Sequence, residues 1–379
     1  MQTALSVTCD FDSGNIVVLD ASNAQNVQLA IRPDTRSAHF QWFHFKVGGM
    51  QVGQPHAFNL TNASESSYNR AWTGYNAAAS YDQKHWFRVP SQFDGKALSF
   101  SLSPEQPQIW FAYFEPYSRE RHDWLIEQAL NQAGAQLLST GSSVEGRDIA
   151  LLRKGDGAPG KRKIWIIAQQ HPGEHMAEWF MEGIIERLKE DDAQLQALLV
   201  SADLYLVPHM NPDGAFHGHL RTNAQGKDLN RAWQDATPQS SPEVFFIKQQ
   251  MEIHGVDMFL DVHGDEEIPY VFTAACEGNP GYTEQQKALE ADFRARLSAL
   301  TTDFQTRYGY PQSAPGKANM NLACNSVGER YKCLSLTLEM PFKDNDDAPD
   351  VVTGWSGKRS MRLARDVLTV LGQMVSVLR

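Results

Sequence analysis

The 379-residue sequence predicts an α/β fold, with a mixed, mostly parallel open sheet flanked by helices, preceded by an antiparallel β-sandwich domain. Three observations predict it. Residues 1 to about 115 hold short β-type segments broken by Gly, Asn, Asp, Ser and Pro, the punctuation of a sandwich. The character changes near Pro116, after which Arg119 to Gly134 repeats apolar residues at helical spacing. From about residue 120 onward, apolar β-type runs alternate with helical stretches, as they do around a largely buried sheet. The predicted division is 1–117 and 118–379.

In chain order, the sandwich segments are Asn15 to Leu19, Phe40 to Val47, Ala97 to Leu102 and Ile109 to Phe114. The second part offers strands at Lys163 to Ala168, Leu204 to Pro208, Asp257 to Val262 and Cys333 to Leu338. Its helices are Glu174 to Lys189, Pro242 to His254, Thr283 to Thr302 and Lys358 to Val377, with Gly255 as the stop of the second. Polar residues gather where these strands finish: His171 after the first, Asn211 and Asp213 after the second, His263 and Glu339 at the ends of the third and fourth. Ligands of open α/β sheets bind outside the carboxyl ends of the strands, so these residues are expected to share one crevice.

Composition excludes more than it identifies. A net charge of −11 argues against non-specific nucleic-acid binding, which needs a basic footprint. No stretch is long and apolar enough to span a bilayer, and the first twenty residues lack the pattern of a secretory signal. Cys9, Cys276, Cys324 and Cys333 form no C-x-x-C pair and are too few for a disulfide framework, which favours a reducing, cytoplasmic setting.

The chemistry-bearing segments follow the strands. Gln170-His171-Pro172-Gly173-Glu174 sets an imidazole and a carboxylate three residues apart at a strand-to-helix turn, where both can face one ion. Catalytic zinc commonly takes two His and one Glu and keeps a fourth position open. His263 is the candidate third ligand, with Gly264 permitting close backbone approach; His175, His209, His217, His219 and His254 are the alternative imidazoles. Asn211-Pro212-Asp213-Gly214 is a turn sequence by its own chemistry, but it leads to Arg221, Asp228, Asn230 and Arg231. A guanidinium fork grips a carboxylate in two places, so Asn230 and Arg231 suit recognition of a terminal carboxylate. Arg221 suits stabilisation of a developing oxyanion, and Asp228 suits a hydrogen bond that fixes a ligand imidazole. Glu339 interrupts the apolar run Cys333 to Phe342 with one carboxylate, the setting a general base requires.

Taken together, His171-Pro172-Gly173-Glu174, Asn211-Pro212-Asp213-Gly214, Asp228-Leu229-Asn230-Arg231, His263 and Thr337-Leu338-Glu339 resemble a zinc metallocarboxypeptidase of the cytosolic carboxypeptidase subfamily. Trp42-Phe43-His44-Phe45 and Tyr113 to Ser118 are similar to the markers of that subfamily's amino-terminal β-sandwich, so the resemblance spans nearly the whole chain. It implies one zinc held by His171, Glu174 and His263, Glu339 as base, Arg221 at the oxyanion, Asn230 and Arg231 as carboxylate clamp, and peptide or protein C-terminal tails as substrate. Two positions depart from the secreted digestive enzymes. Gly173 stands where they carry an arginine, and Lys317 to Leu322 lacks their mobile tyrosine. Eukaryotic cytosolic carboxypeptidases remove glutamate using basic residues before the base; here Gly316 to Asn325 offers Lys317 and no arginine. Two rival readings are a zinc amidohydrolase of small N-acyl amino acids and a catalytically silent module that binds acidic C-termini.

Overall fold

The computed structural model describes residues 5–190 and 192–378. Ten strands come first: β1 Ser6–Thr8, β2 Val17–Asp20, β3 Val27–Ala30, β4 His44–Gly48, β5 His56–Leu60, β6 Ala77–Ser80, β7 Trp86–Val89, β8 Ser91–Phe93, β9 Leu98–Leu102 and β10 Gln108–Ala112. They form two five-stranded sheets, ordered β1-β4-β10-β6-β7 and β2-β3-β5-β9-β8. Every pairing is antiparallel except β3 with β5, which runs parallel. Alternation fills the space between the sheets. Phe45, Phe58, Phe100 and Phe111 pack ring against ring there, with centroids 5.0–6.3 Å apart.

The remainder wraps a seven-stranded sheet: β11 Gln136–Ser142, β12 Asp148–Lys154, β13 Arg162–Ala168, β14 Ala202–Val207, β15 Met258–Asp265, β16 Phe272–Ala275 and β17 Leu334–Pro341, ordered β11-β12-β14-β13-β15-β17-β16. The four central strands run parallel, while β11, β12 and β16 are antiparallel additions at the edges. The parallel strands β14, β15 and β17 are buried along their whole length, which is why they read as unbroken apolar runs. Their cover comes from helices α1 Arg119–Asn131, α2 Met176–Leu188, α3 Ala193–Ser201, α4 Pro212–His217, α5 Pro242–His254, α6 Glu284–Leu300, α7 Ala323–Tyr331 and α8 Gly357–Met374. Capping chemistry fixes several ends. Ser118 accepts from Arg121 N, Thr283 and Gln286 form a reciprocal capping box, and Gly255 closes α5 at φ 79°. Asn211 caps α4 with Pro212 in its first turn, so the apparent turn sequence is a helix start. No helix among the described residues is long and apolar enough to cross a membrane.

The sandwich and the seven-stranded sheet share one buried hydrophobic cluster. Tyr113 stacks on Phe342 at 4.6 Å and Trp42 on His175 at 4.3 Å. Arg88 donates to the carbonyls of Phe342, Thr353 and Trp355 at 2.8–3.1 Å.

Candidate metal centre

Strand β13 ends at Ala168, and the chain then turns sharply. Gln169 adopts φ 56°, a left-handed conformation costly for a side chain with a Cβ, and its amide donates to Pro172 O at 2.8 Å. Gly173 packs directly on Leu220: its N–H donates to Leu220 O at 2.9 Å, and a Cβ would sit 2.9 Å from that oxygen. Glycine rather than arginine is therefore a steric requirement of this turn. The turn brings His171 and Glu174 to one side. On the neighbouring strands, His263 of β15 lies in register with Glu339 of β17, so a ligand candidate and the base candidate stand side by side. Gly264 leaves room for Met176, whose sulfur would lie 2.4 Å from a Cβ, and its N–H reaches Glu174 Oε2 at 3.1 Å.

Three donors converge. His171 Nδ1 lies 2.6 Å from Glu174 Oε1, and His263 Nδ1 lies 2.7 Å from Glu174 Oε2. The remaining ring nitrogens are held from behind: His171 Nε2 by Asp228 at 3.1 Å, His263 Nε2 by Asp261 at 2.9 Å. Each imidazole is thus oriented by a carboxylate on one nitrogen while the other points inward, the arrangement that tunes zinc-bound histidines. Among the described residues, His171, Glu174 and His263 are the one His/Cys/Asp/Glu group compact enough for an ion. Two nitrogens and a carboxylate are the donor set catalytic zinc takes, so these residues fit that metal. Burial opposes charge on Glu174, but the two imidazoles outweigh it and hold its pKa down at about 2.

Arg221 stands beside this group. Its Nε donates to Asp228 Oδ2 at 2.8 Å, and an Nη1 hydrogen bond reaches the Tyr68 hydroxyl of the sandwich. The backbone beneath it is held by Asp34, whose carboxylate accepts from Leu220 N, Arg221 N and Thr222 N at 2.7–2.9 Å. Asn230 is buried, with its amide 3.3 Å from His263 Nε2 and its oxygen accepting from Ala323 N at 2.8 Å; Arg231 is exposed beside it. Glu339 is buried with Oε2 unpartnered. Burial first, then the nearby Glu174, Asp265 and Asp261 carboxylates, push its pKa well above the usual range, against the pull of His263.

Residues 7–114 match the cytosolic carboxypeptidase N-terminal domain, and residues 123–348 match the zinc carboxypeptidase family. The chain belongs to the zinc carboxypeptidase family. A metallo-carboxypeptidase from Pseudomonas aeruginosa, solved in complex with (2-guanidinoethylmercapto)succinic acid, is 60% identical with a TM-score of 0.97, covering 99% of this chain and 100% of its own. An uncharacterized protein of Zymomonas mobilis is 44% identical over 99% of this chain and 97% of its own. Cytosolic carboxypeptidase 6 of Caenorhabditis elegans is 27% identical over 90% of this chain and 79% of its own.

The carboxypeptidase opens this candidate metal group onto a cavity of about 710 Å³ that includes Tyr68, Arg221, Asn230, Arg231 and Glu339. Lys317 is exposed and is not among the residues that line this cavity. The Gly316 to Asn325 segment contributes instead Ala318, Leu322, Cys324 and Asn325, because α7 begins at Ala323 and turns the chain inward there. Besides Arg221 and Arg231, the cations that line the cavity are Arg307, paired with Asp347, and Arg294 of α6, tied to Glu290 at 2.5 Å, to Glu277 at 3.3 Å and to Thr273. Other functional groups escaped the sequence reading. Tyr310 donates to Asp265 Oδ2 at 2.6 Å and its hydroxyl oxygen lies 3.2 Å from Glu339 Oε1, on a loop earlier than the segment searched for a tyrosine. Asp261, two residues before His263 and therefore on the same face of β15, carried a periodicity signal that could have found it. Asp34 and Tyr68 carried none, since they lie 187 and 153 residues from Arg221.

Proposed function

We propose that this zinc carboxypeptidase hydrolyses the C-terminal bond of peptides or protein tails, with one zinc per chain held by His171, Glu174 and His263. One observation carries the reading: two imidazoles oriented by Asp228 and Asp261 meet Glu174 at the wall of a cavity that also holds a buried carboxylate with one unpartnered oxygen and a solvent-facing arginine. When bound, zinc supplies a Lewis acid for water and for the scissile carbonyl. Glu339 Oε2 takes the proton from the attacking water and returns it to the leaving amine. Arg221, kept charged by Asp228, stabilises the oxyanion, while Asn230 and Arg231 hold the terminal carboxylate. In this reading residues 1–117 are a domain that buttresses the 118–379 catalytic domain, and the four unpaired cysteines suit a cytoplasmic setting.

For the terminal side chain, removal of glutamate would rest on Arg294 as the facing cation. A second reading is favoured by two observations. Arg294 is already matched by Glu277 and Glu290, and the Pseudomonas relative binds a compound that joins a guanidino group to a succinate. Those facts suit a cationic side chain met by Glu277. Matched peptides ending in Glu, Leu or Arg decide between them by kcat/KM. The Glu339→Gln variant tests the chemistry: zinc should stay bound while turnover falls by about 10³-fold. Activity within about tenfold of the parent would remove Glu339 from the base role.

A further inference from the structure

A second cavity, of about 220 Å³, lies away from the metal group, between α1, α2, the β11–β12 hairpin and α4. Its inner lining is polar and buried: Glu178 of α2, paired with His122 of α1, and His209, which is 7% exposed. His209 Nδ1 has no hydrogen-bond partner. Burial disfavours the charged imidazole there, so His209 offers a neutral ring with one accepting nitrogen. A buried polar atom without a partner is costly, and a ligand that satisfies it recovers that cost. Asp12 from the sandwich adds a second carboxylate. Toward solvent the wall turns apolar, with Ile126, Ala150 and the exposed side chains of Leu137 and Phe216.

The charges select the ligand. Arg147 is matched by Asp213 and Glu145, and Arg119 by Asp123. Glu178 is met by His122, whereas the half-buried Asp12 accepts only the Arg119 backbone N–H at 2.8 Å, which leaves one negative charge without an ion-pair partner among the described residues. We propose that this cavity binds a small primary ammonium carried on a short apolar stem, the chemistry shared by free α-amino acids and alkyl amines. The ammonium sits between Asp12 and Glu178 and donates to His209, while the stem lies along Ile126, Leu137 and Phe216. The volume admits a molecule the size of leucine. Free amino acids are also what a carboxypeptidase releases, so the site would sense its own product class.

Isothermal titration of the zinc-loaded full chain tests this with three probes of one stem: L-leucine, 3-methylbutylamine and 4-methylpentanoate. Both amines should bind in a way that filling the second cavity removes, whereas any binding of the acid, whose carboxylate the Asn230 and Arg231 clamp can hold, should not depend on that cavity. Tighter binding of leucine identifies the amino acid as the source, and tighter binding of 3-methylbutylamine identifies an alkyl amine. Asp12→Asn should weaken the amines by about tenfold to a hundredfold, the loss of one charge-assisted contact, and the cavity-filling Ala150→Phe should abolish binding. Arg231→Ala, which alters only the metal cavity, should leave it unchanged. Zinc content and peptide hydrolysis report that the Asp12 and Ala150 variants are folded. Absence of 3-methylbutylamine binding, acid binding that Ala150→Phe abolishes, or 3-methylbutylamine binding that survives both cavity variants would overturn the proposal.

Discussion

Replacing Asp34 with asparagine should disable catalysis from across the boundary between sandwich and catalytic sheet. Asp34 is 3% exposed, and its two oxygens accept four hydrogen bonds: from Leu220 N, Arg221 N, Thr222 N and the Thr222 hydroxyl, at 2.7–3.1 Å. An amide keeps the shape but offers one accepting oxygen. Placed toward Arg221 and Thr222, that oxygen leaves an NH₂ group against the Leu220 N–H. One buried donor is then unsatisfied and the charge assistance is gone, a cost of about 2–4 kcal/mol. The strain falls on the strip that carries Arg221 and supports Gly173. Displacement of a transition-state donor by an ångström costs on the order of 10²-fold in rate. Urea melts, zinc analysis and kcat on a C-terminal peptide read the result: lower stability, lower kcat, zinc retained. Parental stability and kcat in Asp34→Asn would refute the claim that the sandwich positions the oxyanion arginine.

Three other outcomes are expected. His263→Ala should bind zinc well below one per chain, and full retention would mean that another side chain supplies the third donor. Tyr310→Phe should lower kcat/KM by about tenfold with zinc unchanged, because it removes the hydroxyl 3.2 Å from Glu339; unaltered kinetics would make Tyr310 a packing residue. Glu243 is buried, and burial pushes its pKa up to about 7 despite the opposing hydrogen bonds, including that from Asn223. Its folded carboxyl keeps a proton that the unfolded chain releases near 4.5. Stability contributed by this group is therefore greatest below pH 4.5 and falls by on the order of 3 kcal/mol as pH rises to about 7. Glu243→Gln should flatten that part of a Tm-against-pH curve, and an unchanged slope would exclude Glu243 as its source.

Local chemistry made part of this molecule legible. The parallel strands are buried on both faces, so β13, β15 and β17 announced themselves as apolar runs, and the polar residues at their ends stood out by contrast. Gly255 stopped α5 by the backbone freedom that glycine alone has. The edge strands β11, β12 and β16 are half exposed or short and gave weaker signals. The parallel β3–β5 pair was hidden because pairing direction is set by connection, not composition. Tyr68 and Asp34 act through space across nearly half the chain, and no local pattern encodes that.

The stack of Trp42 on His175 has a kinetic consequence. His175 follows Glu174 directly, so an indole of the sandwich stacks on the residue next to the carboxylate proposed to hold the metal. A shift of the backbone at Glu174 away from its imidazole partners would disturb that stack and the shared cluster behind it. With the proposed ligand set, escape of the ion would wait on local opening of the contact between the two sheets, so the metal's residence time and the opening rate of that contact would be one clock.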